Sequence, residues 1–445
     1  MSIKPKHPNH ELSEMKCPVN LDDVDLFSPG AQEHWYEAYD ILHRDAPVHR
    51  IPGEGFLPGT DGYILTKYDD ISMVVKDWER FPPGMSLGID DMLKSGQSVE
   101  DLAKDSYINA MMTSIMTLRP NPELWRSHRQ ELTDPWVGPG AERNREMVTR
   151  CADRLIDNWI DKGEVEFISE FARPLPQMTM ANILGFPEED IPRLAEWGTA
   201  QVAAFVYGAG HRNILNPEQA AEQIEILEGF KEYVHEKVQE KRANPQDDMI
   251  SFLCDVTYSP LDRKLTDIEI NGIVYAMVIG GLETTQYALE EQAQLLCEQD
   301  GIFDELKQDR SKLRHFTEEG MRLRSPTQGL STRTTSQDEV FQGVKVPKGS
   351  LLHLRWAAGN VDEEEFECPY EVKLDRKAVS RHLTFSAGPR VCPGAGISRL
   401  EQMIAWERLF ERIDSLEYAP ENKFMHQPGI MLGTLELNLK FTKAG

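Results

Sequence analysis

Cysteine is scarce in this chain: six in 445 residues, at positions 17, 151, 254, 297, 368 and 392. None forms a C-x-x-C pair, which speaks against a disulfide scaffold and against a zinc ribbon. No apolar run approaches the ~18 residues that would suggest a membrane-spanning helix, and the polar start MSIKPKHPNHELSEMK has no signal-peptide h-region. Positive charge is also in deficit, with 48 Lys and Arg against 74 Asp and Glu for a formal charge of −26. That balance argues against nucleic acid or an anionic membrane as a partner for the chain as a whole. There is no internal repeat of 20–50 residues and no Pro/Ser-rich linker. The expectation is a soluble protein of a reducing cytoplasm.

What is present is globular in composition, with 40% hydrophobic and 27% charged residues. Residues 1–25 lack a clear period and read as a flexible arm, leaving 26–445 as a single domain. Helical spacing recurs in AQEHWYEAYDILHR and DDISMVVKDWERF, and over 122–136, 141–161, 188–205, 217–241 and 267–298. Strand signals are short: GYILTK at 62–67, two runs within 339–355, and an alternating stretch at 430–442. The fold class is therefore mainly α with small β-sheets. Residues 84–118 carry little sustained pattern and read as a binding loop whose methionines, in MMTSIM, suit an adaptable apolar pocket.

Three segments carry chemistry. In HLTFSAGPRVCPGAGISRLE, Cys392 lies among Gly388, Gly394 and Gly396, ahead of an amphipathic helix. Dense glycine permits close backbone approach to a bulky object, and a thiol at a helix N-terminus is expected to ionise readily. The helix over 267–298 carries Gly280-Gly281 at its middle, a cost of about 1 kcal/mol per glycine relative to alanine. Glu283 and Thr284 follow, an acid and a hydroxyl among apolar neighbours. In FTEEGMRLRSP, Glu319 and Arg322 share a helix face, but Glu318 to Arg322 is an equally good pair, and local physics does not choose between them.

The spacing Phe385, Gly388, Arg390, Cys392, Gly394 matches F-x-x-G-x-R-x-C-x-G, and by this signature the chain resembles the cytochrome P450 haem-thiolate monooxygenases over roughly residues 30–440. The resemblance implies the cytochrome P450 fold and haem b, with Cys392 as the axial ligand of the haem iron. It makes Glu283 and Thr284 the acid–alcohol pair that handles protons for O2, and Gly280 the residue that leaves room above the haem. It selects Glu319–Arg322 with Arg376 as a buried structural triad. It also offers Arg333, His382 and Arg390 as partners for the haem propionates.

Trp125 and Arg129 in ELWRSHRQEL resemble the family's W-x-x-x-R helix. The related H-x-x-x-R pattern would instead fall on Leu124 and His128, and the first register is preferred because it keeps both donor types. The implied activity is insertion of one oxygen atom into a small apolar organic substrate. Electrons would come from NAD(P)H through a ferredoxin or flavodoxin and its reductase. The alternatives are a peroxide-driven haem oxidase, which commonly lacks the acid–alcohol pair, and a non-catalytic haem-based ligand binder or sensor. Residues 376–400 hold five basic side chains and no acid, which suggests a positive docking face made by Lys377, Arg381 and Arg399. Pocket-lining residues are expected in 84–118, 200–215, 327–331 and 429–434.

Overall fold

The computed structural model describes residues 15–445 apart from 84–113, 115, 207–214, 330, 421, 423–424 and 428. Most of the expected binding loop, much of MMTSIM, residues 207–214 and the first fourteen residues of the arm lie outside the described residues.

The helices that build the site are α1 (Trp35–Asp45), α2 (Pro122–His128), α3 (Pro174–Leu184), α4 (Ile191–Val206), α5 (Pro217–Ala243), α6 (Asp267–Gly281), α7 (Glu283–Glu298), α8 (Leu313–Leu323) and α9 (Ala395–Arg412). The strands are β1 (Val48–Ile51), β2 (Gly62–Leu65), β3 (Glu164–Glu166), β4 (Thr332–Thr334), β5 (Leu351–Leu354), β6 (Ile413–Tyr418) and β7 (Asn438–Lys443). They form a four-stranded sheet ordered β1-β2-β5-β4 and a three-stranded sheet ordered β6-β7-β3. Two-stranded ribbons at 257–264 and 339–346 complete the small sheets. Within the first sheet, β2 and β5 run parallel with Gly62 opposite Leu351, and the outer pairs are antiparallel.

The sequence favours these elements locally. Asn216 caps α5 and Thr266 caps α6 with reciprocal capping boxes, so orphan amides are satisfied at both starts. The expected helix over 267–298 is two helices, because Leu282 interrupts it. Thr284 Oγ1 donates to the Gly280 carbonyl at 2.6 Å, a back-bond that opens the ladder where two glycines already weaken it. Helix α3 was absent from the expected set. It is buried on nearly every face, so it carries no amphipathic period to read. The alternating stretch at 430–442 yields a strand only from Asn438.

Helix α7 packs against α3, α8 and α9, and it does so with polar side chains. Gln286, Glu290, Glu291, Gln292 and Gln294 are all buried. Most of their polar atoms are matched: Gln292 Nε2 donates to Gln402 Oε1 at 2.6 Å, and its Oε1 accepts from Trp406 Nε1 at 2.6 Å. Gln294 Nε2 reaches Thr434 Oγ1 at 2.8 Å, and Gln286 Nε2 reaches Glu290 Oε1 at 2.7 Å. His426 sits between Glu33 and Glu291, with Nδ1 2.9 Å from one carboxylate and Nε2 2.8 Å from the other. This bridge ties the turn Ala31–His34, α7 and the C-terminal loop together.

Burial alone would lower the His426 pKa, but the two carboxylates overcome it and hold the imidazolium up to about 10. A folded-state pKa above the unfolded one gives stability that is complete below about pH 6.5 and lost as pH rises through about 10. His426→Gln is therefore expected to destabilise the fold by about 3–5 kcal/mol near pH 7, the cost of leaving buried charge unpaired. Urea unfolding of wild type and variant at a series of pH values should show that gap narrowing towards pH 10.

Candidate haem-thiolate site

The loop that carries Cys392 is built by three short 3-10 turns, Val379–Arg381, Leu383–Phe385 and Gly388–Arg390. Gly388 takes φ +70° with its α-carbon face against Lys76 and Val75, a conformation and closeness that a side chain would strain. Gly396, in the first turn of α9, meets the Gly138 carbonyl where a Cβ would overlap it. The amide of Ile397 donates to Val137 O at 2.8 Å, so the start of α9 is seated on the segment after α2. Pro393 precedes Gly394, the N-cap of α9.

Cys392 N donates to Phe385 O at 2.8 Å, closing the loop on itself. The Phe385 ring lies beneath the Arg399 guanidinium, 4.5 Å from its centroid. The sulfur is approached by the backbone N–H groups of Gly394 and Ala395, with Arg129 and Arg399 nearby. The expectation of ready ionisation is corrected: burial pushes the thiol pKa up, and those amides and arginines only partly offset it. The thiol keeps its proton until a metal displaces it.

Above the loop, the acidic pair of α8 divides its work. Glu319 binds Arg322 Nε at 2.7 Å and Arg376 Nε at 2.8 Å, all three buried. Glu318, left open by the sequence, binds Arg399 Nε at 2.5 Å and His382 Nε2 at 3.0 Å. His382 also accepts the Thr384 N–H at Nδ1, 3.3 Å away. With both ring nitrogens engaged there, His382 is removed from the propionate set.

Three arginines converge elsewhere. Arg333, on β4, is buried and held down to about 10 by that burial. Arg390 is held down to about 9 by burial and by the positive fields of Arg333 and Arg119. Its guanidinium lies 4.3 Å from the Trp125 ring centroid. Arg119, which the sequence reading missed, is held down to about 10 by burial. Among the described residues no carboxylate pairs with any of the three.

The two registers offered for α2 have different surroundings. Trp125 Nε1 donates to the Arg119 carbonyl, and Arg129 Nη1 donates to Val391 O at 3.2 Å while Nη2 meets Asp134 at 3.4 Å. His128, from the other register, is buried with an unpartnered Nδ1 and a pKa held well down by burial, Arg119 and Arg129. Leu124 offers no donor.

On α6 and α7, a Cβ at Gly280 would meet nothing within 4 Å, so the helix presents open space there. Glu283 accepts the Tyr287 hydroxyl at 2.5 Å and a hydrogen bond from Thr199, and burial pushes its pKa up. It borders a polar cavity of about 570 Å³ that also touches Arg173, Gln177, Gln223 and Gln427. Thr285 Oγ1 donates to Ser398 Oγ at 3.1 Å, which fixes α7 against the helix that follows Cys392.

The haem implied by the resemblance carries two carboxylates, an iron that takes a soft axial ligand, and a flat face needing clearance. The donor set fits: one thiol in a glycine-rich loop, a buried Arg333 with half-buried Arg119 and Arg390 that have no carboxylate partner among the described residues, and a helix glycine facing open space. The expected docking face is smaller than its sequence count. Arg376 and Arg399 are spent on Glu319 and Glu318, and Arg381 pairs with Glu365 at 2.8 Å. Lys377 stays exposed, as does Arg126, which lines a groove of about 590 Å³ with Arg129 and Pro389.

Comparison with known proteins agrees. The family model described as Cytochrome P450 matches residues 212–441. The polyketide biosynthesis cytochrome P450 PksS of Bacillus subtilis is 25% identical over 397 residues, 88% of this chain and 93% of that protein. The biotin biosynthesis cytochrome P450 of the same organism is 27% identical over 384 residues, 86% of this chain and 90% of its own length. Among solved structures, P450BioI in complex with an acyl carrier protein ligated to hexadec-9Z-enoic acid superposes with a TM-score of 0.78 at 25% identity, covering 92% of this chain and 99% of that one. A thiol loop on a helix start, an acid–alcohol step in a broken helix and a family match over more than half the sequence converge on one conclusion: this chain belongs to the cytochrome P450 family.

Proposed function

We propose that Cys392 would bind the haem iron as a thiolate, that Arg333, Arg390 and Arg119 would hold the propionates, and that Glu283 and Thr284 deliver protons. As a cytochrome P450, the protein is a haem-dependent monooxygenase that uses haem b, O2 and electrons derived from NAD(P)H through redox partners. Bound haem supplies reductive O2 activation and oxygen insertion. The observation that carries the residue assignment is the uncompensated arginine cluster beside the Cys392 loop.

Cys392 gives its proton to solvent on ligation, and the Gly394 and Ala395 amides then hold the sulfur's charge. The Arg129 bond to Val391 O keeps the loop from shifting. Glu283 carries a proton at neutral pH more readily than an exposed glutamate because it is buried. It draws that proton from the polar cavity and passes it towards Thr284. The Thr284 hydroxyl, anchored through its hydrogen to Gly280 O, keeps oxygen lone pairs able to accept a hydrogen bond. The acid–alcohol pair favours O2-driven turnover over the peroxide-driven and non-catalytic readings.

The finer reading is a cytoplasmic enzyme, with residues 26–445 as one domain, acting on a small apolar organic molecule. A ferredoxin or flavodoxin would dock beside the Cys392 loop, steered by the exposed Arg126 and Lys377. Among the described residues no helix is long and apolar enough to cross a membrane.

Thr284→Ala is expected to keep haem and substrate binding while diverting NADH electrons from product to peroxide. Paired NADH, product and peroxide assays check this, and unchanged coupling would contradict the assignment. Glu283→Gln should slow turnover by about 10²-fold, the scale of a lost general acid. Wild-type rate should fall on the alkaline side as Glu283 loses its proton, and the variant should lose that limb of its pH profile. Charge reversal at Arg126 and Lys377 together should raise the KM for an acidic ferredoxin severalfold without altering substrate affinity, measured by steady-state reduction at low salt.

A further inference from the structure

Cys17, His34 and Glu37 come from two separated stretches of chain, yet one ligand atom from each lies within 4.8 Å of the others. His34 closes the short turn Ala31–His34, and Glu37 sits one turn later in α1, so the two share a face at i,i+3 spacing. Cys17 reaches them from the arm that precedes the turn Leu21–Asp23. The His34 ring is oriented by Nε2, which lies 2.8 Å from the Met15 carbonyl. An imidazole that donates one N–H to a backbone carbonyl directs the lone pair of its other nitrogen, as metal-bound histidines do. His34 is buried, while Cys17 and Glu37 are half-buried, which leaves a path for an ion.

We propose that Cys17, His34 and Glu37 form a zinc site, separate from the haem, that pins the N-terminal arm to α1. The chemistry selects the ion: a thiolate, an imidazole and a carboxylate are the ligand types of Zn²⁺, with water completing a tetrahedron. Donors around one zinc ion sit at most about 4.6 Å apart, twice a zinc–sulfur bond of about 2.3 Å. Side-chain rotation by a few tenths of an ångström therefore completes the site. The thiol proton leaves to solvent on binding, and the thiolate and carboxylate neutralise the ion.

The site sits on a mechanical junction. Gln32 Nε2 donates to the Gly429 carbonyl and to Met431 O, the latter at 3.3 Å, and Glu33 holds His426. The turn that ends in His34 thus anchors the C-terminal loop, and zinc would tie the arm to that anchor.

The test uses the full-length haem-loaded protein, freed of exchangeable metal by chelation and dialysis and then titrated with zinc sulfate against a chromophoric chelator. One zinc per chain is expected. Absorption fine structure at the zinc edge should show one sulfur at about 2.3 Å and nitrogen or oxygen ligands at about 2.0 Å. Zinc should also slow tryptic cleavage after the exposed Lys16 severalfold, read by mass spectrometry. Cys17→Ser and Glu37→Gln, both at half-buried positions, should each weaken binding by at least about tenfold and abolish the protection, whereas Cys368→Ser should do neither. Zinc bound without sulfur, zinc binding unchanged in Cys17→Ser, no binding at all, or no protection of Lys16 would each overturn the site.

Discussion

Arg390 lies in the positive fields of Arg119 and Arg333, and among the described residues no carboxylate answers the three. Taking even one charge out of water costs several kcal/mol unless an opposite charge accompanies it. Three held together are a standing demand for an anion with at least two negative charges. Much of the surrounding structure keeps them in place: Trp125 lies under Arg390, Trp78 meets the Trp125 ring edge-on, and Arg333 is fixed by its strand. Under the proposed assignment the haem propionates would meet that demand, which would make loading with cofactor and stability of this region one problem.

A second frame stands behind it. Glu318 and Glu319 point to opposite duties, one clamping Arg399 on the helix after Cys392, the other the Arg322–Arg376 pair. Thr285 and Ser398 join α7 to that same helix, whose buried Glu401 has its pKa pushed up to about 8 by desolvation. The thiol loop and the acid–alcohol pair are therefore registered against each other through shared polar contacts rather than apolar packing alone. Such contacts tolerate little displacement, because each unmade bond leaves a buried polar group unsatisfied.

Local pattern carried the parts of this arrangement that local physics determines. The Cys392 loop was legible because glycine spacing, an arginine and a helix start occur within ten residues. The Gly280–Thr284 step was legible because glycines and a glutamate interrupt an otherwise apolar helix. His382 was misread, since nothing in the sequence shows that Glu318 and the Thr384 amide consume both its nitrogens. Arg119 was missed because it lies at the end of a segment with little pattern, and its importance comes from partners far along the chain. Helix α3 escaped because burial on all sides erases periodicity. The Cys17–His34–Glu37 group was invisible to motif reading because its donors straddle a turn and twenty positions. Likewise the basic count over 376–400 overstated the docking charge, because pairing with distant acids is a tertiary property.

The central claim is that Cys392, and none of the other five cysteines, binds the haem iron through sulfur. The ferrous carbon monoxide spectrum tests it most directly, since a thiolate ligand shifts the Soret band far to the red of the position an imidazole or water ligand gives. Wild type and the serine variants at 17, 151, 254, 297 and 368 are expected to show the thiolate band, and Cys392→Ser to lose it. Retention of that band in Cys392→Ser, or its loss in another variant that still binds haem, would contradict the account.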